Sequence, residues 1–184
     1  MRLRWIIVLA AVAGALAAGE APAGARLPAK AVPADFYSGR WYEIARTPNA
    51  GQRDCEAPTT EFQRPVPRRD VELVSDTGAF AVVQTCRKGE PTGPARVFST
   101  RGQIIAGSRN TRFWMSFLGG LKKQEYWVLD RADDQSWAIM GTPGGHYVWL
   151  LSRRPVMAAA DRAAALLRVR ALGYEKLEFP TPAP

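Results

Sequence analysis

The chain has 184 residues, with 25 Lys and Arg against 17 Asp and Glu, for a net charge of +8. That length suits one domain, and 47% hydrophobic with 23% charged residues excludes a wholly disordered chain. A lone histidine, His146, and two cysteines exclude a histidine-based metal or haem site, a four-thiolate site and catalysis by paired imidazoles, so no metal and no cofactor is expected.

Residues 1–18 read MRLRWIIVLAAVAGALAA. Arg2 and Arg4 precede an apolar run from Trp5 to Ala13, and Ala15-Leu16-Ala17 is a small-x-small cleavage pattern. This is the layout of a secretory signal peptide. The run is short of the ~20 residues needed to span a bilayer. A second small-residue site, Ala23-Gly24-Ala25, allows cleavage as late as residue 25. Removal of residues 1–18 lowers the net charge to +6. No cysteine lies near either site, so no lipid anchor is expected, and the mature protein is expected to be exported, periplasmic or secreted. The remaining basic residues are scattered rather than gathered into a stripe with aromatic platforms, which argues against nucleic acid as a partner. A weak attraction to anionic lipid surfaces remains open.

Residues 19–34, rich in Ala, Pro and Gly, predict a flexible N-terminus. From Arg40 onward, short β-branched and aromatic runs recur between Gly, Pro, Asp and Asn. They predict strands at 40–46, 59–63, 79–86, 97–105, 112–118, 125–130, 136–140 and 147–152, with a further short strand at 71–74. Eight strands with brief connections predict an all-β, up-and-down antiparallel barrel, because closure removes exposed edges and leaves room for one small ligand. Residues 156–172 repeat Val156, Ala160, Ala163, Ala164, Leu167 and Ala171 at helical steps. They predict one C-terminal α-helix packed outside the barrel by that face, with Gly173 as its cap. Residues 180–184 predict a loose tail.

Two stretches carry a family resemblance. Asp35-Phe36-Tyr37-Ser38-Gly39-Arg40-Trp41-Tyr42-Glu43 resembles the Gly-x-Trp signature that opens the first strand of the lipocalins. Tyr147-Val148-Trp149-Leu150-Leu151-Ser152-Arg153-Arg154-Pro155 resembles the end of their last strand. With Tyr126-Trp127-Val128 and Ser136-Trp137-Ala138 between them, the likeness runs over residues 33–179. It is nearest to the branch that holds bacterial outer-membrane lipocalins and apolipoprotein-D-like proteins. The resemblance implies a barrel at residues 35–179, with Trp41 plugging the closed end, Arg153 lying across its indole and Gly39 turning the chain into the first strand. These three are expected to be structural.

The resemblance also implies a carrier rather than an enzyme. It would bind, store or transport a fatty acid, a lysophospholipid or a similar small amphiphile, in envelope maintenance or stress. The alternatives are a carrier of a pigment or tetrapyrrole, and a lipocalin-fold enzyme acting on a hydrophobic substrate. Alternation groups Phe113, Met115 and Phe117, then Tyr126 and Val128, then Tyr147, Trp149 and Leu151, each on one face, and the resemblance implies that these sets point inward together with Phe98. Aromatics and a flexible methionine make an adaptable apolar lining. In an exported protein Cys55 and Cys86 are expected to form a disulfide, Cys55 from a loop after the first strand. A nucleophilic thiol in the cavity is the alternative. His146 follows two glycines and reads as an exposed turn residue. Asp133 and Asp134 read as a solvated turn. Glu43 shares the face of Trp41 and Ala45 on an alternating strand, so if Trp41 points inward Glu43 needs a buried partner that the sequence does not locate.

Overall fold

The structure is a computed structural model that describes residues 26–63 and 78–182. The leader expected at 1–18 and the short strand expected at 71–74 lie outside the described residues. Eight strands form one closed antiparallel barrel: β1 Gly39–Arg46, β2 Cys55–Gln63, β3 Ala79–Lys88, β4 Ala95–Ile104, β5 Arg112–Phe117, β6 Lys122–Arg131, β7 Trp137–Gly141 and β8 Val148–Ser152. Each strand pairs with the next, and β8 returns to β1, with Glu43 opposite Leu151 and Arg46 opposite Trp149. Among the described strands, this closure leaves no edge unpaired. Among the described residues no helix is long and apolar enough to cross a membrane.

Gly39 enters β1 at φ +67, a left-handed conformation that glycine adopts without penalty. The chain has just left a 3-10 turn at Ala34–Tyr37, which drives Phe36 and Tyr37 into the barrel's narrow end. There Tyr37 stacks on Phe80 with ring centroids 4.7 Å apart, and Phe62 and Phe113 meet both rings edge-on. Trp41 lies beside Phe36 at 4.9 Å and is fully buried. The Arg153 guanidinium carbon sits 3.7 Å from the centroid of the Trp41 ring. Its Nη1 donates to Ser38 O (2.6 Å) and its Nη2 to Phe36 O (3.2 Å), so one side chain covers the indole and fastens the chain leading into β1. The closed end is therefore a filled aromatic core, and it leaves only the other half of the barrel open.

Three expectations are corrected. The segment before the barrel, predicted to be flexible, is docked from Ala29 onward. Val32 is buried and exchanges hydrogen bonds with Arg109 O and Asn110 Nδ2. Arg131 donates to Ala31 O, and Lys30 pairs with Asp133 at 2.6 Å. The predicted loose tail is also held: Ala57 N donates to Thr181 O at 2.9 Å, Pro180 is buried, and Arg162 lies over the Phe179 ring. Backbone groups that find partners hold such segments whatever their composition.

The helix, α1 Ala159–Ala171, packs outside on β7 and β8 as expected, but by a different face. Ala165 and Val169 are fully buried against Ile139, Val148 and Leu150, with Leu166 and Leu172 beside them. Val156, Ala160, Ala163, Ala164, Leu167 and Ala171 are all exposed. Ala165 and Val169, four residues apart, set the buried face, with Leu166 and Leu172 at its margins, while the large Leu167 faces solvent. Arg168 and Arg170 complement the C-terminal dipole, and Gly173 at φ +91 ends the helix.

Candidate functional site

Above the aromatic core the barrel encloses a cavity of about 410 Å3, open at the end formed by the β1–β2, β3–β4, β5–β6 and β7–β8 connections. Phe62, Phe113, Met115, Met140 and Leu151 belong both to the buried core and to the cavity, and form its floor. The walls differ chemically. On the β4–β6 side Phe113 stacks on Tyr126 at 5.5 Å, Phe98 stacks on Phe117 at 5.5 Å, and Trp149 of β8 leans against Tyr126 at 5.8 Å. On the β2–β3 side Thr59, Thr60, Gln84 and Thr85 supply hydroxyls and an amide. The cavity thus has an aromatic half and a hydrogen-bonding half.

Seven of the nine residues assigned inward line this cavity: Phe98, Phe113, Met115, Phe117, Tyr126, Trp149 and Leu151. Val128 shares their face but lies lower, buried among the floor side chains. Tyr147 precedes β8 in the open-end turn and is 40% exposed, 6.0 Å from Trp149 and outside the lining. Burial pushes the Tyr126 phenol up to about 12. Its hydroxyl has no hydrogen-bond partner among the described residues.

The partner that Glu43 requires is Arg46. A β-bulge between Glu43 and Ala45 inserts one residue, so positions 43 and 46, an odd number apart, both face inward. The same bulge sends Ala45 outward with Ile44 to the cluster beneath the helix, correcting the expectation that Ala45 shares the face of Trp41 and Glu43. Arg46 Nη1 donates to Glu43 Oε1 at 2.8 Å, and both side chains are about 5% exposed. Arg46 also reaches Cys55 O at 3.3 Å, Gln52 O at 3.1 Å and Glu178 Oε2 at 3.1 Å, which ties β1 to the β1–β2 connection and to the tail. Burial pushes the Glu43 carboxyl above the usual carboxylate range, opposed by hydrogen bonds from Arg46 and Gln52. For Arg46 burial acts downward, but Glu43 and Glu178 outweigh it and hold the guanidinium charged.

Gln52 links this pair to the aromatic wall. A short 3-10 turn at Ala50–Gln52, capped by Asn49 Oδ1 accepting from Gln52 N at 2.9 Å, aims the amide into the mouth. Gln52 Nε2 donates to Glu43 Oε2, and Gln52 Oε1 accepts from both Trp149 Nε1 and Asn49 Nδ2, all at 2.8 Å. The chain of bonds orients the Trp149 indole and engages both oxygens of the Glu43 carboxylate. None of it was legible as a site in the sequence. Inward Thr and Gln look the same as outward ones until register is known.

Cys55 and Cys86 form a disulfide across β2 and β3, with their Cα atoms 5.4 Å apart. Cys55 opens β2 rather than lying in a loop, and both cysteines line the cavity near its mouth. His146 is exposed in the β7–β8 turn. Asp133 and Asp134 lie at the closed end, where Asp133 binds Lys30 rather than water alone and Asp134 Oδ1 accepts from Ser136 N.

Comparison with known proteins follows the same lines. The lipocalin-like domain family matches residues 32–184. The outer membrane lipoprotein Blc of Vibrio cholerae is 27% identical over 122 residues, which are 66% of this chain and 64% of that protein, so the match spans just under two thirds of the relative's length. Insecticyanin from the tobacco hornworm Manduca sexta superposes with a TM-score of 0.61 at 16% identity, over 83% of this chain and 82% of its own. Lobster apocrustacyanin A1 gives 0.59 at 12% identity, over 86% and 91%. At these identities the solved structures speak for the fold. With the closed eight-stranded barrel, the helix on its flank and the family match over most of its length, the chain belongs to the lipocalin family.

Proposed function

We propose that this lipocalin is an exported carrier that holds one small amphiphile, such as a fatty acid or a lysophospholipid, and stores or transports it in the cell envelope without chemical turnover. The observation that carries the reading is the two-sided cavity. An acyl chain would lie against Phe113, Met115, Phe117 and Tyr126. Its polar end would face the mouth, where threonine hydroxyls and Gln84 offer hydrogen bonds. Each buried methylene adds roughly 0.8 kcal/mol. The apolar leader and the disulfide support export. The bonded cysteines, the exposed His146 and the pairing of Glu43 with Arg46 favour binding over catalysis.

The test is displacement of a fluorescent fatty acid probe by saturated fatty acids of increasing length. Affinity should tighten about fourfold per methylene until the cavity is full. M115W, which fills the floor of the cavity, should weaken the probe at least tenfold while leaving the circular dichroism spectrum unchanged. Absence of displaceable binding at low micromolar probe refutes the reading. Native mass spectrometry of protein from its own host, with extraction of the bound molecule, then identifies the ligand, and a visible absorption band would mark a pigment instead.

A further inference from the structure

Among the described residues, the two most exposed large apolar side chains lie together. Leu121 is 92% and Leu118 75% exposed, on the turn that joins β5 to β6 at the open end. Val97, Phe98 and Tyr147, at 63%, 40% and 40%, stand on the same rim. The patch is continuous with the cavity, because Leu118 follows Phe117, which stacks on Phe98. Gly119 and Gly120 adopt positive φ with open space around them, and Leu118 itself is held at φ +51, a region that L residues rarely adopt. The turn thus presents two leucines to solvent on a strained backbone. Large apolar residues held outward at a loop tip are an unfavourable arrangement in water alone.

The charge around them is mostly positive. Lys122 and Lys123 follow Leu121 directly, and Arg53, Arg87, Lys88 and Arg96 occupy the neighbouring open-end connections and strand ends, all exposed. Four acids share that end, Asp54, Glu56, Glu90 and Glu178, the last paired with Arg46, against six exposed cations. Apolar tips ringed by cations match the interface of an anionic bilayer, where leucines enter the acyl boundary and lysines meet the headgroups. A protein partner would need an acidic surface with an apolar pocket, and a second copy would bring like charges together.

We propose that the β5–β6 turn docks the mouth of the barrel on anionic lipid surfaces, Leu118 and Leu121 inserting and Lys122 and Lys123 holding the headgroups. The cavity then opens toward the membrane, and a carried amphiphile passes between bilayer and barrel without crossing water. The docking goes beyond the carrier reading and depends on it only for its purpose.

The experiment is flotation of the mature protein with phosphatidylcholine vesicles, alone or with 30% phosphatidylglycerol, at low and physiological salt. Binding to the anionic vesicles is expected, weakening with salt. K122E/K123E should lower it at least 25-fold, from about fivefold for each lysine removed, and L118S/L121S at least tenfold, from about 1.5–3 kcal/mol for each buried leucine. L121W should give a fluorescence signal quenched by brominated lipid. No binding to anionic vesicles overturns the proposal. Unchanged binding by L118S/L121S with no quenching of L121W also overturns it, since a diffuse basic surface then suffices. So does a dimer dispersed by L118S/L121S in protein that ignores vesicles, because a second copy then covers the rim. Fatty acid probe binding in solution should be the same in these variants as in the parent. Vesicle docking without any probe binding would remove the carrier reading and leave the docking in place.

Discussion

Replacing Arg46 with methionine isolates the buried pair on which the cavity wall depends. The substitution keeps the stem and removes every charged contact. Glu43 would retain only Gln52 Nε2, and the carbonyls of Cys55 and Gln52 would each lose a donor. Glu178, whose side chain is 45% exposed, would turn to water at little cost. Breaking a buried pair from one side costs about 3–5 kcal/mol, because the remaining charge is uncompensated. The two orphaned carbonyls account for roughly 1–2 kcal/mol of that. R46M/E43Q, which removes the stranded charge, should therefore recover about 2–3 kcal/mol and remain 1–2 kcal/mol below the parent.

The sign of the pH dependence follows. Glu43 is already raised by burial, so its contribution to stability is greatest below the unfolded carboxylate value of 4.5 and is lost as pH rises through its higher folded value. Without Arg46 the folded value climbs further. The deficit of R46M should be largest at neutral pH and shrink as pH falls toward 4.5, while R46M/E43Q, which lacks the titrating carboxyl, should show no pH dependence from this site. Urea unfolding of the four proteins of the cycle at pH 7 and pH 5 measures all of these quantities. A loss below 1 kcal/mol for R46M, or equal losses for R46M and R46M/E43Q, refutes the reasoning.

Arg153→Ala should cost about 2–3 kcal/mol in the same assay, from the cation–π contact over Trp41 and two carbonyls left without a donor, and Arg153→Lys should recover only part of it. C55S/C86S should lower stability by roughly 3–4 kcal/mol, the chain-entropy value for a sequence separation of 31, and mass spectrometry of the parent should show two hydrogens fewer than the reduced chain. Gly102→Ala places a Cβ 2.3 Å from the Phe80 ring, which is locked among Tyr37, Phe62 and Phe113. A loss of about 1–3 kcal/mol is expected, and an unchanged melting temperature would show that the aromatic core is looser than its packing implies.

The order and number of the strands were legible because alternation and turn residues are local signals, and each strand lies within a few residues of where they place it. The aromatic half of the cavity was legible for the same reason: Phe113, Met115 and Phe117 alternate cleanly. Alternation reports the face of a strand but not the height along the barrel. Val128 accordingly falls to the floor and Tyr147 to the rim, although both were grouped with cavity residues. The polar half was hidden, since Thr60 and Gln84 at inward positions look like solvent-facing residues. The buried carboxylate was visible on the face of Trp41, but its partner was not.

The presence of one pair of cysteines, the scarcity of histidine and the order of the strands are properties of composition and local spacing, and the sequence determined them unaided; the Gly39–Trp41 opening of the barrel was legible through its family resemblance. The bulge at Ile44 that turns Arg46 to meet Glu43, the depth at which the aromatic core stops and the cavity begins, the docked termini and the true face of the helix were decided only by tertiary structure. Each depends on hydrogen bonds and packing between segments far apart in the chain. Local periodicity carries no information about which distant group will occupy the other side.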